Sequence, residues 1–385
     1  MASTGAVKDA TKYLATQQAE SPAELAAEWA KLEELYNKKL WHQITLKLGN
    51  FVKHPALLTG DKLIQLYNNF IQVFENKINP LALVEIIAIV VQQYENPKDA
   101  IAFLEQTEPK VKSCTEAVSL CKVLAGSLML NKLQDQSGTK KVIDDVGKLL
   151  GDEDGVTPVH GRYYQLASDL YRLQSNYAEY YRASLRYLGC SDLSTITSED
   201  KINIAAFLGL AALLGEGVYN FGELLAHPVL ESLEGTPAVW IKHLLLAFNQ
   251  GDIAKFEQMR PHWESMGDLV AHEKQLREKI TLLCLMEMTF KRPSNNRILT
   301  FAEIAKETQL PVTDVEFLVM KALSLGLVRG AIDQVAQNVQ MTWVQPRVLD
   351  KNQINGMIQR LNAWCNDVKL MENLMEEKAH EILTL

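Results

Sequence analysis

Apolar positions recur at three- and four-residue steps along most of the chain, the signature of helices with one buried face. Trp29, Leu32, Leu35 and Tyr36, then Leu40, Ile44 and Leu48, follow this period. After a break at Thr59 and Gly60 it resumes with Leu63, Leu66, Tyr67, Phe70, Ile71 and Phe74. Pro80 opens an apolar helix through Val91, and Pro97 opens another that ends near Thr107. Proline suits the first helical turn, where a missing N–H breaks no hydrogen bond. Around Tyr163, Ala167, Tyr171, Tyr180 and Ala183, small residues alternate with aromatics, so two helices can approach closely, as in tetratricopeptide-like repeats. The joints are short, which predicts antiparallel hairpins stacked into a solenoid over residues 26–176; a plain helical bundle is the alternative. Residues 1–25 are Ser/Thr/Ala-rich at their start and lack an apolar signal core, and predict a flexible tail.

The period changes after residue 277. Residues 280–289 are nearly all apolar, as in a helix buried on most sides. Thr300 with Glu303, and Thr313 with Glu316, have capping-box spacing and predict two further helices, the second stopped by Gly326. Residues 327–332 read as a strand, and Val339, Met341 and Trp343 alternate with Gln340 and Thr342 as a half-buried strand does. Three helices and a two-stranded wing make a winged helix over 278–346, preceded by helical segments over 177–277. No Gly/Ser-rich linker separates these parts, so they are expected to share a core. Val339, Met341 and Trp343, on a strand with few charges, are candidate interface residues of an exposed wing edge.

Beyond Pro346 a long helix is predicted over 350–383. Ile354, Leu361, Val368, Met375 and Ile382 lie seven apart, and Met357, Trp364 and Met371 fill the second apolar position of each heptad until Lys378 breaks it. Such a stripe packs along its whole length. It is expected to insert into a multi-subunit helical bundle, the alternative being a helix folded back on its own solenoid.

Composition narrows the chemistry. Hydrophobic residues make up 47% of 385 and charged residues 22%, with a net charge of −8, which disfavours nucleic acid and anionic membranes as partners. Across 280–345, six bases (Lys291, Arg292, Arg297, Lys306, Lys321, Arg329) face six acids (Glu287, Glu303, Glu307, Asp314, Glu316, Asp333), whereas a phosphate-binding face needs clustered cations. Five cysteines without a CxxC pair suggest reduced thiols. Gly215, Gly217 and Gly222 imitate a phosphate loop only loosely, and residues 152–155 lack the ligand spacing of a calcium loop. The eight histidines form no HxH or HExxH pair. No enzyme activity, metal or cofactor is expected.

Helical repeats running into a winged helix resemble the PCI-domain family of large regulatory complexes. The stretches LLGEGVYNFGELLAHPVLESL (213–233), LLLAFNQGDIAKFEQM (244–259), LLCLMEMTFKRP (282–293), LTFAEIAKETQL (299–310) and VMKALSLGLVRGAIDQV (319–335) resemble the PCI subunits of the 26S proteasome lid in particular. The likeness extends back to LEELYNKKLWHQ (32–43). It implies a non-catalytic scaffold for degradation of ubiquitinated proteins, cytoplasmic and nuclear. It also implies contacts to PCI neighbours through the winged helix and to MPN-type, metalloprotease-like subunits through the C-terminal helical bundle, near the ubiquitin-receptor subunit. A related PCI complex, the COP9 signalosome or a translation initiation factor, is the nearest alternative. A winged-helix nucleic-acid-binding factor is the more distant one.

Overall fold

The computed structural model describes residues 10–20, 22–58, 60–151, 155–293, 296–346 and 351–383. The fold is mainly α with one small sheet, and it divides into two compact units, Met1–Thr195 and Ile196–Leu385.

Unit 1 contains α1 (Ala10–Glu20), α2 (Ala23–Asn37), α3 (Trp41–Phe51), α4 (Lys62–Asn69), α5 (Pro80–Val90), α6 (Pro97–Thr107), α7 (Thr115–Asn131), α8 (Gln136–Gly151), α9 (Pro158–Leu173) and α10 (Tyr177–Cys190). The predicted prolines stand at the first turns of α5 and α6. Asn79 and Asn96 precede them as caps, accepting from the amides of Leu81 at 2.9 Å and Lys98 at 3.2 Å. Helices α3, α5, α7 and α9 pack side by side, while α6 and α8 each pack on α7, and α10 pairs with α9. That is the two-layered order of a solenoid. The division after Thr195 keeps the α9–α10 pair whole, whereas the sequence reading changed domain at residue 176, between them.

Two expectations for this unit are corrected. Residues 10–20 are not tail but helix: Ala10 and Leu14 are buried, and Tyr13 meets Trp29 edge-on at 6.1 Å. The apolar run of residues 63–74 is not one helix. It breaks after Asn69 into short 3-10 turns, so that Phe70 and Phe74 meet each other at 4.9 Å and both contact Tyr36. Residues 152–154 of the acidic turn lie outside the described residues.

Unit 2 begins with α11 (Ser198–Leu214), α12 (Gly222–Ala226), α13 (Val239–Gln250), α14 (Ile253–Gln258), α15 (Arg260–Trp263) and α16 (Gly267–Ala271). The winged helix follows: α17 (Glu273–Lys291), β1 (Ile298–Thr300), α18 (Phe301–Thr308), α19 (Val312–Ser324), β2 (Val328–Asp333) and β3 (Asn338–Val344), with α20 (Lys351–Leu383) last. The central helix α17 packs on α11, α13 and α14 on one side and on α18, α19 and β3 on the other, so the helical part and the winged helix share a core, as expected. Gly251 makes that packing possible. Its φ of +65° ends α13, and a Cβ there would lie 2.5 Å from the Cα of Cys284.

The first capping box forms as predicted, with Thr300 Oγ1 accepting from the Glu303 amide at 3.2 Å and Glu303 accepting from the Thr300 amide at 3.0 Å. The second does not. Pro311 occupies the N-cap position of α19, Thr313 donates to Asp314 Oδ1, and Glu316 accepts from Gln334 Nε2 at 3.1 Å. The sheet also gains a strand that the sequence reading missed. Its order is β1-β3-β2, all antiparallel, with Leu299 opposite Val339 and Ile332 opposite Val339 on the other side.

Candidate interaction surfaces

The added strand changes the wing. β3 is the middle of the sheet, not an edge, and the side chains of Val339 and Met341 are 0% and 2% exposed. Both fill the winged helix's own core, which corrects their assignment as contact residues. Trp343 alone of the three is partly exposed, with the Arg329 guanidinium 4.9 Å from its ring centre. The sheet's two edges are the three-residue β1 and the longer β2. A bulge at Arg329 and Gly330 interrupts the pairing of β2 with β3, and Gly330 is required there because a Cβ would come within 2.3 Å of the Gln340 carbonyl oxygen.

The helix that reads DNA in many winged helices corresponds to α19, whose outer face exposes two large apolar side chains beside Asp314 and Lys321. Phe317 is 71% exposed and Met320 52%. Their signal was present in the sequence as two large apolar residues three apart, flanking the buried pair Leu318 and Val319. The basic residues nearby are largely engaged: Lys321 pairs with Glu278, Arg292 with Glu303 at 2.9 Å, Lys291 with Glu287 at 3.7 Å, and Arg297 donates to the Thr342 carbonyl at 3.4 Å. A face with its apolar side chains exposed and its cations paired suits a protein partner better than phosphates.

The third surface is α20. Every described side chain from Ile354 to Lys378, Gly356 aside, is exposed. The predicted stripe is therefore bare: Leu361 is 54% exposed, Trp364 64% and Met375 63%, and Ile354, Met357, Val368 and Met371 are likewise exposed. Leu370 and Leu374, outside the heptad register, widen it. Ile382 lies outside the residues whose side chains are described. Near its start, Gly356 and Arg360 of α20 line a cavity of about 960 Å³ together with the α13–α14 turn and the ends of α17 and α18.

A buried lysine ties two helices of unit 2 together. Lys279, 7% exposed on α17, donates to the carbonyls of Ala212, Leu213 and Gly215 at 2.7, 3.0 and 2.9 Å. It caps the C-terminus of α11 through the segment that imitates a phosphate loop. Burial pushes its ammonium down to about 7. Three acceptors, the negative end of the α11 dipole and the rings of Phe221 and Tyr219 oppose that shift. Cys284 on the same helix is buried, which pushes its thiol up to about 11 and leaves it a packing group. Among the described residues no three His, Cys, Asp or Glu side chains converge as a metal site would.

Comparison with known proteins gives the family. The family of PSD13 N-terminal repeats matches residues 28–245, and the PCI domain family matches residues 253–343. The 26S proteasome non-ATPase regulatory subunit 13 homolog B of Arabidopsis thaliana is 40% identical over 368 residues, 93% of this chain and 95% of its own length. This chain belongs to the proteasome regulatory subunit 13 family. Subunit 13 of Dictyostelium discoideum is 36% identical over 91% of the chain and 93% of its own length, and the regulatory subunit RPN9 of Saccharomyces cerevisiae 31% identical over 96% and 97%. The family assignment thus covers both the repeats and the winged-helix PCI domain. No described helix is long and apolar enough to cross a membrane.

Proposed function

We propose that this subunit-13 family member is a structural subunit of the 26S proteasome lid, scaffolding the regulatory particle that prepares ubiquitinated proteins for ATP-dependent degradation in cytoplasm and nucleus. The observation that carries this reading is the bare apolar stripe of α20 on a chain that proteasome regulatory subunits match over 93–96% of its length. Coverage of both domains favours the lid over the signalosome or a translation factor. The PCI neighbours contact the winged helix at the β2 edge, Trp343 and the Phe317–Met320 face. MPN-type subunits contact α20 through Ile354, Met357, Leu361, Trp364, Val368, Met371 and Met375, with Ile382 continuing the register. The ubiquitin-receptor subunit lies nearby. Metal, cofactor, nucleic acid and membrane have no part in this role.

Co-expression with the other lid subunits tests the reading, using the chain cut after Pro346. The expected result is a soluble, folded protein that no longer co-purifies with the lid. Normal incorporation would refute the role of α20. Unfolding of the truncated chain would return the helix to the chain's own core.

A further inference from the structure

Unit 1 carries an open groove with about 960 Å³ of space, walled by the adjacent helices α3, α5, α7 and α9. Each wall contributes a carboxamide: Asn50 from α3, Gln92 from the turn directly after α5, Asn131 from α7 and Gln165 from α9. All four are exposed. Asn131 donates to Ser127 Oγ at 3.2 Å, while among the described residues the side chains of Asn50, Gln92 and Gln165 have no hydrogen-bond partner. A carboxamide offers an acceptor and two donors, the complement of a peptide unit. Neighbouring helices lie about 8–10 Å apart, so the four amides span roughly 25–30 Å. An extended chain rising about 3.3 Å per residue covers that distance in roughly seven to nine residues.

The groove's charges select against other occupants. Lys53 and Arg162 are balanced by Glu85 and Asp169, which leaves no net attraction for a polyanion. Leu46, 62% exposed, supplies an apolar contact, and a Cβ on Gly49 would meet nothing within 4 Å, so the wall is open where a backbone would approach. We propose that this groove binds an extended polypeptide segment of a partner protein, with Asn50, Gln92, Asn131 and Gln165 hydrogen-bonding its backbone. Stacked helical repeats offer such surfaces generally, and here an amide from each of four successive wall segments gives the groove its preference for main chain over side chain.

The test uses the full chain as bait for a phage-displayed library of random peptides about nine residues long. The enriched peptide, made with a fluorescent label, is titrated by anisotropy against the native protein, Gly49→Phe, and the double variant Asn50→Ala/Gln165→Ala. Gly49→Phe fills the groove and replaces a helical glycine with a better helix former, so its melting temperature is expected to hold. The expected result is at least tenfold weaker binding to each variant at unchanged melting temperature. The same loss is expected for a peptide whose central amides are N-methylated and cannot donate. Failure to enrich any peptide would overturn the proposal. So would a peptide indifferent to both variants, or one that becomes helical on binding by circular dichroism.

Discussion

Replacing Lys279 by Met keeps the apolar stem and removes only the ammonium, so it isolates the cap that ties α17 to α11. Three carbonyls at 2.7–3.0 Å lose their donor at once. Each hydrogen bond contributes roughly 0.5–1.5 kcal/mol net where the donor is the neutral amine and roughly 1.5–3 kcal/mol where it is the ammonium, and an orphaned buried acceptor costs roughly 1–3 kcal/mol. Against this stands relief from holding a cation where side-chain exposure is 7%. The balance is a loss of about 2–4 kcal/mol, because two of the three carbonyls belong to the last turn of α11 and have few other donors. For a unit the size of Ile196–Leu385, about 2–4 °C per kcal/mol makes this a drop of roughly 5–15 °C in its melting transition. Scanning calorimetry of the full chain resolves it, since two compact units need not melt together. A variant melting within about 1 °C of the native chain would refute the claim that Lys279 holds the helical part to the winged helix. Burial depresses this base, so the unfolded chain binds its proton more tightly between about 7 and the ordinary lysine value of about 10.4. Stability from Lys279 is thus complete only above that upper value and falls as pH drops toward 7; the melting gap to Lys279→Met should widen from pH 7 to pH 9.

Met341→Pro removes the amide that donates to Arg297 at 2.9 Å in the middle strand, and should destabilise unit 2 by about 3 kcal/mol or more, read as a lower urea midpoint. Phe317→Asp, on a side chain 71% exposed, should leave the melting temperature within about 2 °C yet weaken co-purification with lid subunits; normal co-purification would remove α19 from the contact surface. The native chain should bind duplex DNA no better than about 10 μM at physiological salt, and submicromolar, salt-dependent shifts in a gel titration would contradict the apolar reading of α19.

The helices of unit 1 and the winged-helix order are legible because burial imposes a period on the sequence; the heptad of α20 is equally legible although the structure leaves its stripe exposed. What escaped was set by contacts between distant segments. Strand β1 has three residues, Ile298, Leu299 and Thr300, too few to display an alternation, yet its pairing turns β3 from an edge into the centre. The alternation of Val339 and Met341 was read correctly as one buried face, but which neighbour covers it is a tertiary fact. The failed box at Thr313 has a local cause: Pro311, with φ of −57°, already sets the start of α19. Lys279 carries its own signal in the sequence, a lysine heading an otherwise apolar run whose stable burial is against acceptors. The N-terminal helix was hidden because Ala10 and Leu14 are a thin stripe among Thr and Gln, and its burial depends on Trp29 supplying the other half of the contact.

The exposed helix and the buried lysine belong to one physical arrangement. A helix of 33 residues is about 50 Å long, far more than the rim at Gly356 and Arg360 covers. Each stripe residue moved out of water contributes roughly 1.5–3 kcal/mol, so the seven described heptad positions represent roughly 10–20 kcal/mol of gross burial that the isolated chain leaves unrealised. An isolated helix draws most of its stability from packing, so on the proposed role α20 is expected to be marginal in the free subunit and to firm up when other helices cover its stripe. Ordering it then uses part of that gross energy, which keeps assembly from being irreversible. Such a helix can position partners only if its base does not yield. On that proposal, the core that holds α17 against α11, α13 and α14, with the Lys279 cap at its centre, supplies the rigidity while the stripe supplies the attraction.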